Sequence, residues 1–460
     1  MIQFKDVSFG YGASAFALRD INLTISTGER VCLLGRNGSG KSTILKLAAG
    51  IVTPHTGDVK IAGVSTKDNK QFRNLRGQIG FIFQNPDDQI LTASVQSELA
   101  FTLENLNVDR DEIARRIKEF AKRFHLDNLL TRHPTQLSAG EKQRLVLAAT
   151  LISTPSVLIL DEPTSYLDSD GQKLVNEAVF GSRDWSIMSA TQNFAEVELY
   201  DRVVFVEGGE VIFDGTVSEF RSTTTFADIS RIESSSSPRQ HSHNKSAPAV
   251  ELCNVSFKYP NSNKVTQNRN LSVHARTITV IMGSSGCGKT TIGLLIAGLL
   301  EPQGGEILLD GVPCSAQERL MRVGMIFQIP EFAFFAETVF EEIAFGLRNQ
   351  GLAEDTIRDK VRVALELVGL GPDEFLDRNP FTLSAGEQRL VAIASIVVLD
   401  RQILIFDEST AGLDWYGRVR VQELIMRLLE AGKSIIVITH DKEFAEKISS
   451  TFVIIANGSE

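Results

Sequence analysis

Short apolar runs at 30–34, 78–83, 157–160 and 185–189 punctuate the first half of the chain, rich in β-branched and aromatic side chains. Runs of this length without polar alternation suit strands covered on both faces. Longer segments of mixed character at 41–49, 110–124 and 141–152 read as helices. Strand and helix take turns, which predicts an α/β architecture around a mostly parallel sheet. Two further stretches, Ile2–Phe9 and 250–257, alternate apolar with polar residues, as half-exposed antiparallel strands do.

The same order of elements occurs twice. Gly35-Arg36-Asn37-Gly38-Ser39-Gly40-Lys41-Ser42 returns as Gly283-Ser284-Ser285-Gly286-Cys287-Gly288-Lys289-Thr290. Leu137-Ser138-Ala139-Gly140-Glu141 returns as Leu383-Ser384-Ala385-Gly386-Glu387, and Leu160-Asp161-Glu162 as Phe406-Asp407-Glu408. Counterparts lie 248, 246 and 246 residues apart, so a whole domain is duplicated. The expected division is a first domain at 1–230, a linker at 231–248 and a second domain at 249–460. The linker is serine-rich and poor in apolar residues, too little to order itself by burial. Its His241 and His243 admit a metal-binding reading beside that of plain linker.

Composition narrows the function classes. A chain of 460 residues has room for two to four cores, and a net charge of −10 argues against a nucleic-acid backbone as main partner. Cys32, Cys253, Cys287 and Cys314 are scattered, without a CxxC pair, as thiols of a reducing compartment are. The opening Met1-Ile2-Gln3-Phe4-Lys5 predicts no leader, and no run of 18 apolar residues predicts a membrane span.

The glycine-rich stretch follows an expected strand and opens an expected helix, the setting of a phosphate-binding loop. Gly35, Gly38 and Gly40, with Gly283, Gly286 and Gly288, let the backbone curl so that its N–H groups face phosphates at a helix N-terminus. Asn37 and Ser285 stand inside these loops, and Thr43 and Thr291 just beyond. Lys41 and Lys289 would reach the β- and γ-phosphates of ATP, and Ser42 and Thr290 would bind Mg²⁺. Paired acids closing a strand repel each other and resist burial, a difficulty that Mg²⁺ removes. Asp161 and Asp407 are therefore assigned to the metal through water, and Glu162 and Glu408 to the attacking water. These parts by themselves establish a P-loop nucleotidase.

With the Leu-Ser-Ala-Gly-Glu motif added, in this order and twice over, the chain resembles ATP-binding cassette (ABC) ATPases across nearly its whole length. The resemblance implies two tandem P-loop domains, each with a parallel core, an antiparallel β subdomain and a helical subdomain bearing the signature motif. It also implies that the cassettes form an internal pseudo-dimer, with the signature of one closing over ATP held by the other. Ser138 and Gly140 would then contact the nucleotide on Lys289, and Ser384 and Gly386 the one on Lys41. Tyr11 and Tyr259 match the residue that stacks on adenine, with a core role as the plainer alternative. Gln84 and Gln328 match the loop glutamine that touches Mg²⁺ and senses the partner. Asp168 and Asp414 match the aspartate linking the sites, and His440 the switch histidine.

The copies also differ. Gln192 stands where the histidine belongs, and glutamine neither carries charge nor shuttles a proton. Ser409 replaces Pro163, and the second copy stops without a counterpart to 210–215. Unequal sites are expected, with the one on Lys289 the main engine.

Gln84-Asn85-Pro86-Asp87-Asp88-Gln89 and Glu337-Thr338-Val339 followed by Glu341-Glu342-Ile343-Ala344-Phe345-Gly346 look like the ATPases of energy-coupling factor (ECF) transporters, importers of vitamins and of cobalt or nickel. That resemblance implies a transmembrane coupling protein and a substrate-binding membrane subunit, reached from the cytoplasmic face of the membrane through grooves near Asp87, Asp88 and Phe332. Asp87 and Asp88 would suit an arginine of the coupling protein. Phe332, Phe334 and Phe335 make the second groove more apolar than that family's pattern. The rival is a soluble twin-cassette ATPase acting on ribosomes or nucleic acid, which the acidic balance and short linker disfavour. A scaffold that binds ATP without hydrolysing it is disfavoured by the presence of Glu162 and Glu408.

Overall fold

Three of the four apolar runs become inner strands of the first half's sheet and the fourth, Ile79–Ile82, its edge; the second half builds a sheet of its own. The computed structural model describes residues 1–11, 17–164, 167, 169–192, 194–234, 247–259, 265–283, 286–327, 334–449 and 451–455. It divides into two units, Met1–Ser230 and Arg231–Glu460. In the first, strands lie in the order Glu210–Thr216, Arg202–Glu207, Arg30–Leu34, Ser186–Ala190, Val157–Asp161, Ile79–Ile82. Neighbours are parallel except at the Glu210–Thr216 edge, which is antiparallel. Arg30–Leu34, Val157–Asp161 and Ser186–Ala190 are buried at every residue, which accounts for their mostly apolar character, polar Arg30, Asp161, Ser186 and Ser189 excepted.

The second unit repeats the plan with five parallel strands, Val323–Ile326, Ile403–Asp407, Ser434–Ile438, Ile278–Met282 and Thr451–Ile454. Among its described residues no strand corresponds to Glu210–Thr216. Each unit adds an antiparallel sheet, built in the first from Leu18–Ile25, Ile2–Phe9, Thr56–Ile61 and Val64–Ser65. Burial along Ile2–Phe9 departs from strict alternation, because Val7, Ser8 and Phe9 are all buried. Register shifts beyond Phe4 and Lys5, with Asp6 at φ 49°, bend the strand there and turn consecutive residues inward.

The helical part of the first unit comprises Val95–Asn105, Arg110–Arg123 and Ala139–Leu151, and that of the second Val339–Asn349, Glu354–Leu367 and Ala385–Val397. Arg110–Arg123 shows why these segments coil. Asp109 caps its first turn, acids follow at its start and bases at its end, and Ile113, Ile117, Phe120 and Ala121 form one buried stripe. The helix Thr224–Ser234 and the strand Pro248–Lys258 reach into the ends of the expected linker, whose remaining residues, 235–246, lie outside those described. All four cysteines are unpaired. Among the described residues no helix is long and apolar enough to cross a membrane.

Ile159 sits fully buried at the middle of an inner strand. Replacing it with alanine should cost about 2–5 kcal/mol through lost burial and the cavity left behind. Denaturant unfolding should show the first unit melting earlier while the second unit's transition stays in place.

Candidate nucleotide site

Each glycine loop springs from an inner strand of its sheet, Arg30–Leu34 in the first unit and Ile278–Met282 in the second. A Cβ on Gly35 would stand 2.2 Å from the carbonyl oxygen of Val206, so only glycine lets the adjacent strand pass. Gly283 repeats this, 2.4 Å from the carbonyl of Ile455. The loop closes on its own lysine: Lys41 is buried and its Nζ donates to the carbonyls of Gly35 (2.8 Å) and Arg36 (2.9 Å). Lys289 donates to Gly283 at 2.8 Å. Gly38, Gly40, Gly286 and Gly288 all take positive φ, and Gly40 and Gly288 stand directly before the helices Lys41–Ala48 and Lys289–Ile296. Ser285 lies outside the described residues.

Beside each loop an aromatic ring is propped from below. Tyr11 packs edge-to-face on Phe9 and Tyr259 on Phe257, both with centroids 4.9 Å apart. Their hydroxyls lie 3.4 and 3.3 Å from those of Thr43 and Thr291. Tyr11 is 59% exposed, which sets aside the plainer reading of it as a core residue.

The strand ends bring the acids to the loops. Ser42 donates to Asp161 at 3.1 Å. Burial pushes the Asp161 carboxyl above its ordinary pKa, opposed by that hydrogen bond and by the charges of Lys41 and Lys46. Asp407 is pushed up to about 6, chiefly by burial, with Glu408 adding to the rise and the nearby Thr290 and Lys289 opposing it. Both Asp407 carboxylate oxygens are buried without a hydrogen-bond partner, so neither Thr290 nor Lys289 bonds them directly. An acceptor pair of this kind beside a threonine hydroxyl and a phosphate loop fits a hard divalent cation that keeps part of its water. Among the described residues no cluster of three or more His, Cys, Asp or Glu could hold a metal, so the cation would depend on phosphate oxygens as well.

Glu162 and Glu408 follow the strands in left-handed conformation, φ 50° and 47°. Their N–H groups donate to Ala190 (3.1 Å) and Ile438 (2.9 Å) on the neighbouring strand. The two side chains then meet different company. Glu162 accepts from Gln84 Nε2 at 3.1 Å and from Gln192 Nε2, which also donates to Asn37 at 2.7 Å. Glu408 faces His440 Nδ1 at 2.9 Å. Burial pulls the His440 imidazolium down, but the hydrogen bond and charge of Glu408, together with Asp441, outweigh it and leave the pKa raised. A neutral amide therefore faces the glutamate in one unit and a protonatable ring in the other. Gln328 lies outside the described residues.

The signature turns cap helices. Ser138 and Ser384 open Ala139–Leu151 and Ala385–Val397 with reciprocal capping boxes to Glu141 and Glu387. A Cβ on Gly140 would find its nearest neighbour, Leu167, at 3.8 Å, and its φ is not positive. Among the described residues of its own unit nothing demands glycine there. Asp414 caps Trp415–Glu430 through the Gly417 N–H at 2.8 Å, while Asp168 lies outside the described residues. Asp87 pairs with Lys142 of the signature helix at 2.6 Å yet stays exposed, as does Asp88. Phe332 lies outside the described residues, Phe334 is buried and Phe335 exposed.

The contacts of three residues went unforeseen in the sequence. Gln143 donates to the carbonyl of Pro163 and Arg389 to that of Glu408, both at 2.9 Å. Buried Glu196 accepts from Thr164 and Thr191, each at 2.7 Å, and so ties the loop after Glu162 to the loop before Gln192. The only sequence signal for these residues is a polar side chain set among apolar neighbours.

Comparison with known proteins identifies the family. The family pattern described as ABC transporter matches residues 18–165 and 266–411. A Methanosarcina mazei protein, provisionally named an ABC transporter ATP-binding protein, is 31% identical over 474 residues, covering 100% of this chain and 94% of its own length. A similarly named Bifidobacterium longum protein is 33% identical over 98% of this chain, which spans 64% of that protein's length. Among solved structures, an archaeal ribosome recycling factor in complex with a ribosomal stalk protein shares the fold, with TM-score 0.68 and 23% identity over 98% of this chain and 87% of that one.

Two outcomes follow. A carboxyl whose folded pKa is raised stabilises the fold when protonated, and that contribution is lost as pH climbs through the folded value. From pH 4 to above 6, Asp407 should thus cost the metal-free second unit about 3 kcal/mol. Asp407→Asn should raise its melting temperature at pH 7.5, with the gain gone at pH 4. Glu196→Ala strips two buried threonine hydroxyls of their acceptor and should cost the first unit about 2–4 kcal/mol; thermal melts of the variant would check it.

Proposed function

The chain belongs to the ABC transporter ATPase family, and from that premise we propose that it is the motor of a membrane importer, two ATP-hydrolysing cassettes acting on a transmembrane partner. In this reading each nucleotide lies between the glycine loop of one cassette and the signature turn of the other. The spare room at Gly140 supports it, since a glycine that no described neighbour in its own unit requires suits close approach from outside. The helix N-termini behind Ser138 and Ser384 add donors and partial positive charge suited to a γ-phosphate.

Mg²⁺, with Ser42 and Asp161 in one site and Thr290 and Asp407 in the other, would neutralise phosphate charge during transfer. Lys41 and Lys289 bind and orient the phosphates. Glu162 and Glu408 hold the attacking water and take its proton. Gln192 steadies Glu162 without a change of charge, whereas His440 pairs with Glu408 as a cation and supports a faster cycle.

One observation carries the importer reading. In each unit the segment beyond the loop glutamine's position presents an apolar residue to solvent, Leu91 at 71% exposure and Phe335 at 60%. Both are held out by design of the backbone. Buried Glu98 accepts from the N–H groups of Leu91 and Thr92 (3.1 and 2.9 Å), and buried Glu342 from those of Phe335 and Ala336 (3.1 and 3.0 Å). Exposed Phe101 and Phe345 follow on the next helix, and Phe345 packs on Phe335 with centroids 4.7 Å apart. Preorganised apolar faces of this kind suit short helices of a coupling protein. We assign them to an ECF-type importer of a vitamin or transition-metal ion, with the chain at the cytoplasmic face of the membrane. Asp87 and Asp88, both exposed, are left to meet a basic residue of that partner.

Purified from detergent-solubilised membranes, the protein should bring down a small membrane protein, and Leu91→Asp with Phe335→Asp should release it. Recovery with ribosomes instead would reject the importer. Within the cycle, Glu408→Gln should abolish most phosphate release and Glu162→Gln distinctly less; equal losses would refute unequal sites.

A further inference from the structure

Glu408 is gripped at both of its peptide groups. Its N–H donates to Ile438 across the sheet, and its carbonyl accepts from the Arg389 guanidinium, each at 2.9 Å. Between these anchors the residue holds φ 47°, a region that a side-chain-bearing residue keeps only when its surroundings impose it. Arg389 is 6% exposed. It stands five residues beyond Ser384, on the helix Ala385–Val397 that the signature motif opens. One rigid element therefore carries the signature turn at its tip and, one and a half turns on, the clamp on the glutamate of its own unit.

The first unit supplies the comparison. Gln143 occupies the same place after Ser138, but its amide donates to the carbonyl of Pro163, one residue past Glu162. Its Oε1 is buried without a partner. A neutral amide acting on the following peptide is a weaker and less direct restraint than a charge-assisted bond to the glutamate itself.

We propose that Arg389 is a positioning residue for Glu408, holding the glutamate's strained backbone in place and tying it to the signature helix, a link the first unit makes less tightly through Gln143. The proposal rests on the reading of Glu408 as the group that takes a proton from water.

The test is steady-state phosphate release by the full chain over a range of MgATP concentrations. Arg389→Gln and Arg389→Met should lower kcat at least tenfold while KM stays within twofold. Arg389→Lys, still able to reach the carbonyl with a charged donor, should recover a good part of the rate. In a Glu408→Gln background the Arg389 substitutions should have no further effect. Rates within twofold of the parent for Arg389→Met, in protein with an unchanged melting temperature, would overturn the proposal. So would loss of the folded second unit in all three variants, Arg389→Lys included, which would make Arg389 a packing element. Full turnover by Glu408→Gln alone would instead sink the reading of the glutamate, a result distinguishable from either.

Discussion

A carboxylate buried at the tip of an inner strand is unstable company for its neighbours until positive charge arrives. Asp161 and Asp407 are in that position, both pushed toward protonation by burial, and neither carboxylate oxygen of Asp407 has a hydrogen-bond partner. The surrounding structure is arranged around this deficit. The glycine loop folds about a buried lysine, the hydroxyl of Ser42 or Thr290 sits on the near side, and the following glutamate is turned away by a left-handed backbone. In the proposed reading, metal and phosphate together would relieve what the protein alone leaves uncompensated, and ligand binding would be coupled to local stability.

The same scaffold is tuned differently in its two copies. In the first unit two amides, Gln84 and Gln192, hold Glu162, and Glu196 straps the two loops together beneath them. The second unit places an imidazole on Glu408 and buried Phe444 at the position of Glu196. Neutral restraints hold a group in place without responding to charge, whereas an imidazole–carboxylate pair changes as protons move. That difference supports the proposed asymmetry, one steady site and one responsive site.

Local chemistry explains how much could be read from the order of residues. A run of four apolar residues, as at 157–160 and 403–406, announces an inner strand because burial on both faces favours apolar side chains, and all five residues of Val157–Asp161 and of Ile403–Asp407, the closing acids included, are buried. The glycine loops were legible for a similar reason: they need positive φ and close backbone passage at set positions, and few residues supply either. The capping boxes at Ser138 and Ser384 are local as well, spanning three residues.

Sequence alone thus determined the duplicated α/β plan, the phosphate loops, the acid pairs and the exchange of histidine for glutamine at position 192, since each depends on neighbours in the chain or on a side chain's own capacity. Contacts across long separations needed the folded structure. Arg389 meets Glu408 across 19 residues, Thr164 meets Glu196 across 32, and Gln192 meets Asn37 across 155. A polar residue on a helix looks the same in sequence whether it faces water or a buried carbonyl, because only the packing of distant strands and helices decides what lies opposite it.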